Sequence, residues 1–588
     1  MKQIQNIFFI IFLITLIRAQ LFTCTSKIEN GINSRIIIDI YPHKSISNPF
    51  NYSAIALVTE FTHIETNKKF QADAFWYQNY TRSKGGNGEE VLTETGIARF
   101  QTRFTPFYAG KFSFAVSLFN QSKKTEVVCS SSEPINVKIP QSQRGIISVS
   151  QFNLQYFEDS WTGKSFFPIG ENVCWSGTNK KTYDYDSWFF ELANEGLGNY
   201  ARLWLSPFDA FTLENLETGL GKYSLEDAWR LDYVTDLAES LSMRLMFCIE
   251  SFNSYRSTPP YSYWDVNPYN AQNGGPLDQA SEFFFNDQAK KLFLNRLRYI
   301  VARFGFSSTV FAWELFNEVD LTDNFSDPDQ FLNVKNWHQE MANYLHSISP
   351  QMVSTSFSNP VGELNYEIYS LDSLNYSQSH SYGAHDIALD VNSIILLNRF
   401  SVSKPSYLGE FGISGDGDQT RSEDPNGIHI HNGIWSSLCS LAAATSMTWW
   451  WDSYIAPQNL YPLYKPLAEF VEGIEFNKNF WNICIFSEVP NSVHPYGIST
   501  ENLALIWIQN VNNTWWNNYQ EHLPVNTVDS FQIKIQTDLI DYNDYIIDIY
   551  DTFSGKLIHQ IFNCKVENLF IIFQVPSFNI DIACKIHR

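Results

Sequence analysis

The chain has 588 residues, of which 44% are hydrophobic and 17% charged. This composition is typical of an ordered globular protein and excludes a disordered one. The length predicts three or four structural units, because domains usually contain ~100–200 residues. A formal charge of −22, with no basic cluster to offset it, argues against a nucleic-acid partner, because a polyanion would be repelled.

The N-terminus has the pattern of a secretory signal peptide. Lys2 precedes an apolar run that extends from Ile7 to Ile17, and the small residue Ala19 closes it. The run is too short to span a bilayer, which needs about 20 apolar residues. We therefore expect residues 1–19 to be a signal peptide, and the mature protein to be secreted, or held in the lumen of the secretory pathway, without a membrane span. An uncleaved anchor is the alternative, since Ile17 is bulky for its place two residues before Ala19.

Export permits disulfides and glycosylation. None of the eight cysteines forms a CxxC motif, which argues against a zinc or redox site. We expect Cys24 to pair with Cys129 and Cys564 with Cys584, because each pair lies within one predicted domain. Two cysteines in apolar runs are predicted to be buried thiols: Cys174 and Cys248. Six sequons predict a glycoprotein, at Asn51, Asn79, Asn120, Asn324, Asn375 and Asn512.

The first third of the chain has the period-two alternation of β-strands. Residues 35–40, 56–61 and 111–116 alternate apolar and polar side chains, and turn-rich pieces such as 84–88 separate such runs. Several short strands without a helical stretch predict an immunoglobulin-like β-sandwich over residues 25–145. Such a domain is either a scaffold beside a catalytic domain or a sugar-binding module.

From about residue 160 the pattern becomes strand, loop, helix, repeated. Eight strands that alternate with helices over ~300 residues predict an α/β fold, a (β/α)₈ TIM barrel, over residues 160–478. An open doubly wound sheet fits less well, because no GxGxxG motif follows a strand. The predicted strands are 167–174, 199–206, 244–250, 310–316, 353–357, 376–382, 406–410 and 446–451. The predicted helices are 225–241, 289–304, 331–348, 387–399 and 434–443.

The last hundred residues return to alternation, at 503–507, 531–535, 545–550 and 569–573. They predict a small C-terminal β-sandwich domain over residues 485–588. The barrel is thus expected to be flanked by two β domains.

Two glutamates stand out within the predicted barrel. The apolar run 313–318 (WELFNE) ends in Glu318, and 92 residues later the run 407–412 (YLGEFG) carries Glu410. These are the ends of the fourth and seventh predicted strands, and the active site of such a barrel lies at the C-terminal ends of its strands. Two facing carboxyl groups are the usual equipment for cleaving a glycosidic bond. A separation of ~5–5.5 Å gives retention through a covalent intermediate, whereas ~6.5–9.5 Å leaves room for a water and gives inversion.

This arrangement resembles the retaining clan A glycoside hydrolases of the cellulase and mannanase type, over roughly residues 160–475. The resemblance implies that Glu318 is the acid/base and Glu410 the nucleophile. It also implies that Asn317, just before the acid/base, holds the sugar 2-hydroxyl. The flanking β domains are similar to the accessory domains of multidomain enzymes of this type.

Two further matches concern residues at the ends of other predicted strands. Arg202 ends strand two, where the clan has an arginine beside the nucleophile, and its charge would keep Glu410 ionised. An ordinary salt bridge between Arg202 and Glu314 is the alternative. His380 and Tyr382 end strand six, where clan members carry residues that contact the nucleophile and the sugar.

Strand eight ends in three tryptophans and an aspartate, at 449–452, where the clan has a tryptophan that stacks on the sugar. Trp449 and Trp450 remain alternatives for this role, because the phase of the strand is not fixed by sequence. The aromatic loop 261–276 after strand three either shapes specificity or is a structural lid. The chain departs from many cellulase-like members at 248–252, where it lacks their histidine.

Together these patterns predict a secreted retaining β-glycoside hydrolase that cleaves a glucan- or mannan-like oligo- or polysaccharide by double displacement. We expect no cofactor and no metal, because the motifs include neither a metal cluster nor a nucleotide turn. The mechanism requires a raised pKa for Glu318 and a low one for Glu410. The alternative is a non-catalytic carbohydrate-binding or cell-surface protein that kept the barrel. Endo or exo action, the particular glycan and the oligomeric state stay open.

Overall fold

A computed structural model of the chain describes residues 21–121, 123–207, 211–541 and 543–588. The predicted signal peptide, residues 1–19, lies outside the described residues. The chain divides into two compact units. The first contains residues up to 81 with 93–143 and 295–306, and the second contains 82–92, 144–294 and 307–588. None of the described helices could span a bilayer, as each is too short or too polar.

The first unit contains two antiparallel sheets that share one apolar core. Ile38 of one sheet and Phe61 and Phe112 of the other are fully buried in this core, so the region is a β-sandwich. The disulfide Cys24–Cys129 is present, as predicted. One sheet has the strand order Phe22–Asn30, Ser34–Pro42, Glu90–Phe104, Phe75–Lys84. The other has the order Lys68–Asp73, Ala56–His63, Gly110–Asn120, Lys123–Ser130, with Ile135–Val137 paired to Gly110–Asn120.

The second unit begins with a small antiparallel sheet and continues as a parallel barrel, which confirms the predicted α/β barrel. The small sheet has the strands Ile147–Val149, Phe157–Asp159 and Ser165–Phe166. Neighbouring barrel strands pair in parallel, and each is buried along most of its length. Barrel strands one to seven are, in order, Gly170–Asn172, Tyr200–Trp204, Arg244–Cys248, Val310–Glu314, Met352–Ser354 with its continuation Ser356–Phe357, Ser377–Tyr382, and Ser406–Gly412.

The eighth predicted strand is reduced to a single residue. Within 446–451, only Thr448 pairs in parallel, with Phe411 of strand seven on one side and Glu171 of strand one on the other. The Asn172 side-chain amide donates to three backbone carbonyl oxygens at this seam, at 3.0–3.2 Å. In a longer strand eight, such carbonyl groups would instead accept from the backbone N–H groups of the neighbouring strand. The backbone of Trp450, with φ 72°, then turns the chain away.

Helices lie between the barrel strands, and several of them begin at side-chain caps. The Ser224 side chain accepts the backbone N–H of Asp227 at 3.2 Å, and Asp327 caps a helix whose first residue is Pro328. The helices are Thr182–Asn194, Leu225–Ser240, Asp287–Phe304, Pro328–Ile348, Glu363–Tyr369, Ile387–Val402, Gly417–Glu423, Ile428–Leu438, Ala456–Gln458 and Lys465–Val471.

The C-terminal region is an antiparallel path of nine described strands around a core of isoleucines. Strand Leu557–Glu567 pairs with Asp544–Asp551 along most of its length and with Phe570–Val575 at its end, so it joins the two halves of the path. The strand order is Asn482–Ile483, Val493–Ser499, Leu503–Asn510, Asp581–His587, Asp544–Asp551, Leu557–Glu567, Phe570–Val575, Phe531–Gln536, Ile485–Ser487.

The expected disulfide between Cys564 and Cys584 is wrong, because both are free thiols. Cys564 lies opposite Tyr545 and Cys584 opposite Ile549, so the whole strand Asp544–Asp551 separates them. Two strand spacings amount to ~10 Å, whereas the Cα atoms of a disulfide lie within about 7 Å. Cys174 and Cys248 are buried thiols, as predicted.

The C-terminal region also packs on the barrel loop that follows strand six. Trp515 lies in an apolar cluster with Ile387 and donates its indole N–H to the carbonyl oxygen of Ala384 at 2.9 Å. The ring of His385 stacks on Trp516 with centroids 3.5 Å apart. These contacts stabilise the loop directly after Tyr382.

Glu171 gives the second unit a pH-dependent stability. Its carboxyl group is fully buried, on the opposite face of strand one from Asn172, beside the Tyr464 hydroxyl. Burial raises the pKa of Glu171 to about 8 from an ordinary value of 4.5, against the opposing effect of Tyr464. The folded state therefore holds this proton where the unfolded state has lost it, so the stabilisation is complete below about pH 4.5 and is lost as the pH rises to about 8.

We predict that Glu171→Gln flattens this dependence, because glutamine is neutral at every pH. Between about pH 5 and pH 8, the wild type should lose up to about 1.4 kcal/mol of unfolding free energy per pH unit more than the variant. Chemical denaturation of both proteins across this range measures the difference. The other buried acids contribute equally to the pH dependence of both proteins, so their contributions cancel in the comparison. Parallel curves would contradict the prediction.

Candidate active site

The two predicted glutamates meet at the C-terminal end of the barrel. Glu318 follows strand four and Glu410 lies in strand seven. One carboxyl oxygen of each, together with a ring nitrogen of His380, lie within 4.8 Å of one another. The Glu318 side chain is 14% exposed and that of Glu410 is 5% exposed. Two almost completely buried carboxyl groups therefore face each other across one small space.

The backbone around Glu318 directs its side chain into this space. Glu318 has φ 49° and ψ 50°, a left-handed conformation that costs a non-glycine residue about 1–2 kcal/mol. Neighbouring strands stabilise it: the backbone N–H of Glu318 donates to Ser356 Oγ at 3.1 Å, and that of Asn317 donates to the Glu250 carbonyl oxygen at 2.8 Å.

Arg202 connects the acids from strand two. It is fully buried, and its Nη1 donates to Glu410 Oε1 at 2.6 Å. Its Nε and Nη2 donate to the two oxygens of Glu314 at 2.6 and 2.9 Å. The salt bridge to Glu314 and the contact with Glu410, which the sequence left as alternatives, are both present. Two amide oxygens also accept from the guanidinium, that of Asn172 at 3.1 Å and that of Asn317 at 2.7 Å.

His380 and Tyr382, both in strand six, contact the same carboxyl groups. The Tyr382 hydroxyl donates to Glu410 Oε2 at 2.7 Å. His380 Nδ1 lies 2.8 Å from Glu318 Oε1 and 3.5 Å from Glu410 Oε2. Burial lowers the pKa of His380 to about 4, so the ring is neutral at neutral pH. It is a hydrogen-bonding group between the two acids and adds no charge.

The pKa values of the two acids are both affected by burial. Burial raises the pKa of Glu318 to about 8, the charge of Asp320 acts in the same direction, and Arg202 opposes them. Burial also raises the pKa of Glu410, although Arg202 opposes this, so the low value expected from the sequence is wrong. Arg202 also bonds both oxygens of Glu314, and its effect on Glu410 does not outweigh burial. Glu410 is nevertheless the acid that ionises first, because it alone of the pair touches the guanidinium.

The side chains of Trp449 and Trp450, which follow Thr448, have different surroundings. Trp449 is almost fully buried. It packs edge-on against Trp175 and Trp451 and at a tilt against Trp204, with ring centroids 5.2–5.8 Å apart. Trp450 instead donates its indole N–H to the Ser414 carbonyl oxygen in the loop after strand seven, at 2.9 Å. Trp449 packs with Trp204, whose ring lies 5.4 Å from the Arg202 guanidinium.

Two residues around this site were missed from the sequence. Asn172 points into the barrel from strand one, and Trp175 lies shortly after that strand. Glu314, which was predicted only as a salt-bridge alternative for Arg202, points into the barrel from strand four. The position of these three residues in the sequence could have identified them, because each lies at or near the end of a predicted strand, as the other site residues do.

The carboxyl groups of Glu318 and Glu410 and the ring of His380 have a spacing that a metal ion could bridge. The donor set fits a metal poorly, because the Arg202 cation already occupies one oxygen of Glu410 at 2.6 Å. Glu318, which holds a proton, is instead suited to proton transfer, and Glu410, which binds the guanidinium of Arg202, is suited to nucleophilic attack.

Comparison with known proteins agrees with this site chemistry. No family model matches the chain. The chain is 27% identical to mannan endo-1,4-beta-mannosidase 1 of Arabidopsis thaliana over 161 residues, which is 26% of this chain and 35% of the relative. It is 29% identical to mannan endo-1,4-beta-mannosidase A of Emericella nidulans over 181 residues, 28% of this chain and 42% of the relative. The chain thus spans about two fifths of the length of these curated relatives.

One solved structure shares the fold over nearly the whole chain. A Bacteroides vulgatus protein, put forward as a glycoside hydrolase, superposes with a TM-score of 0.62 at 12% identity and covers 94% of this chain and 98% of its own. At this identity the likeness concerns the fold. Together, the sequence relatives and this fold confirm the predicted resemblance to clan A glycoside hydrolases.

Proposed function

We propose that this chain is a secreted glycosidase that cleaves β-linked glycans with retention at the anomeric carbon. The observation that carries the proposal is the spacing of the acids, with oxygens of Glu318 and Glu410 within 4.8 Å. This agrees with the ~5–5.5 Å of retaining enzymes and is too short for a water between the acids. Mannan is the first substrate to test, because the relatives are named mannan endo-1,4-beta-mannosidases, and glucan is the second.

In the first step, the carboxylate of Glu410 attacks the anomeric carbon and the glycosidic C–O bond breaks. Glu318, which keeps its proton through its raised pKa of about 8, gives that proton to the leaving oxygen. Arg202 and Tyr382 each bond one oxygen of Glu410 and fix its orientation for the attack. The products of this step are a glycosyl ester on Glu410 and a free sugar hydroxyl group.

In the second step, the Glu318 carboxylate takes a proton from water as the water oxygen attacks the anomeric carbon. The ester bond to Glu410 breaks, and both acids return to their starting states. Two inversions give net retention. The residues present account for every proton, so the mechanism uses neither a cofactor nor a metal.

Two neighbouring groups are proposed to bind the sugar. Asn317 has its amide oxygen on Arg202 at 2.7 Å and its amide nitrogen 3.3 Å from Ser251 Oγ, and this fixed amide is the proposed partner of the 2-hydroxyl. Trp449 is proposed as the ring against the apolar face of the sugar. His380 and Tyr382 complete the polar wall of the site.

Secretion and glycosylation form part of the same proposal. The disulfide Cys24–Cys129 suits an oxidising compartment. The sequon residues Asn51 and Asn324 are exposed and accessible to a glycosyl transferase.

We predict that the first sugar released from a β-1,4-manno-oligosaccharide carries the β configuration. Nuclear magnetic resonance of the anomeric proton during the first minutes distinguishes β from α before mutarotation mixes them. The lengths of the products separate endo from exo action. The α anomer as first product would contradict retention, and binding without turnover on mannan and glucan panels would favour the non-catalytic carbohydrate-binding alternative.

A further inference from the structure

We propose that Glu314 is a positioning residue that holds Arg202 against Glu410 and cancels the charge of the guanidinium, so that the site keeps one net negative charge. This inference rests on the proposed function, because it assigns a purpose to Glu410 as nucleophile. Its basis is the fully buried carboxylate of Glu314, which bonds Arg202, while Arg202 in turn bonds Glu410.

The first part of the argument is geometric. A guanidinium is a planar fork, and a carboxylate that binds two of its N–H groups fixes the plane. Glu314 occupies the Nε and Nη2 edge at 2.6 and 2.9 Å, which leaves Nη1 for Glu410 at 2.6 Å. Glu314 lies in strand four and Arg202 in strand two. A residue of strand four therefore orients the guanidinium of Arg202 toward Glu410 in strand seven.

The second part concerns charge. Arg202 is a single cation between two carboxylates, while His380 is neutral and Glu318 carries a proton in the resting site. The group of three therefore has a net charge of about −1. Glycoside cleavage passes through an oxocarbenium-ion-like transition state, and a buried net negative charge stabilises that positive charge strongly.

Without Glu314, the full charge of Arg202 would be directed to Glu410 alone. The nucleophile would then be neutralised by its own neighbour, and the transition state would lose its compensating charge. Burial raises the pKa of Glu410 although a guanidinium lies 2.6 Å away, so the charge that reaches the nucleophile is a quantity the site controls.

The test is the pH profile of kcat/KM in Glu314→Gln, a neutral variant of the same size. We expect kcat/KM to fall by about 10²-fold, as for a misplaced catalytic group. The acidic limb should move to lower pH, because an uncompensated Arg202 lowers the pKa of Glu410. Glu314→Asp keeps the charge but shortens the side chain, so its acidic limb should stay in place while kcat/KM falls.

Glu171→Gln is the matched control, since Glu171 is also a fully buried barrel-strand acid but points away from the barrel interior. Its kcat/KM and pH profile should equal those of the wild type. Titration with a fluorinated mechanism-based glycoside inactivator counts the competent molecules, so a poorly folding variant is still measured per active site.

The outcomes separate this inference from the proposed function. If the wild type turns over and the acidic limb of Glu314→Gln stays in place, the inference about Glu314 is overturned and the proposed function stands. If Glu314→Gln yields no competent molecules, Glu314→Asp decides, and a wild-type kcat/KM there overturns the positioning. A wild type without turnover on any β-glycan overturns both.

Discussion

Glu410→Gln is expected to lower kcat/KM on a β-glycan by about 10⁴-fold or more, the scale seen when an enzyme loses its nucleophile. The amide has no charge with which to attack the anomeric carbon. It also leaves Arg202 Nη1 and the Tyr382 hydroxyl, now 2.6 and 2.7 Å from the two carboxylate oxygens, facing a neutral group. Steady-state kinetics on the substrate identified by the glycan panel measures the loss.

Two controls make this result specific. Added azide should restore turnover in Glu410→Ala and give a glycosyl azide of inverted configuration, because the small anion occupies the place of the missing carboxylate. Glu171→Gln, an equally buried change elsewhere in the barrel, should keep full activity. A Glu410→Gln enzyme that hydrolyses at the wild-type rate would remove Glu410 from the mechanism.

The barrel could be predicted from sequence because a parallel strand buried on both faces is a continuous apolar run. Each of the seven observed strands lies within a few residues of a predicted one, although 353–357 (VSTSF) and 376–382 (YSQSHSY) are largely polar. The eighth predicted strand, 446–451, forms only the bridge at Thr448. Its carbonyl groups bond the Asn172 side chain and its backbone turns at Trp450. Both are tertiary features without a local signal.

The two acids could be predicted because each stands at the end of an apolar run, where a barrel places its chemistry. The sharing of Arg202 between Glu314 and Glu410 could not be predicted. It depends on strands two, four and seven meeting at one point, and Glu314 has the same local pattern as any buried acid. The unexpected direction of the pKa of Glu410 follows from its burial. The helix Thr182–Asn194 was missed as well, although its buried Tyr185, Phe189 and Leu192 follow helical spacing, because aromatic residues also favour strands.

Glu318→Gln is expected to separate the two steps of the reaction. On an unactivated β-glycan, kcat/KM should fall by about 10³-fold, within the range of general acid catalysis. On a dinitrophenyl β-glycoside, whose leaving group needs no proton, kcat/KM should be largely retained. Its kcat should fall because water then lacks a base in the second step. Azide, which needs no base, should raise that kcat and give a product of retained configuration.

The pH profile provides the second signature of Glu318. The acid form is the active one, and its pKa is about 8, so on the basic side of the profile the wild-type kcat/KM on a glycan should fall as the pH rises through that value. Glutamine does not titrate, so this basic limb should be absent from the residual activity of Glu318→Gln on the same glycan. Equal losses on both substrates, with the basic limb still present, would show that another group donates the proton. The same two profiles then locate the acid, since only a group whose removal abolishes the limb can be the one that titrates.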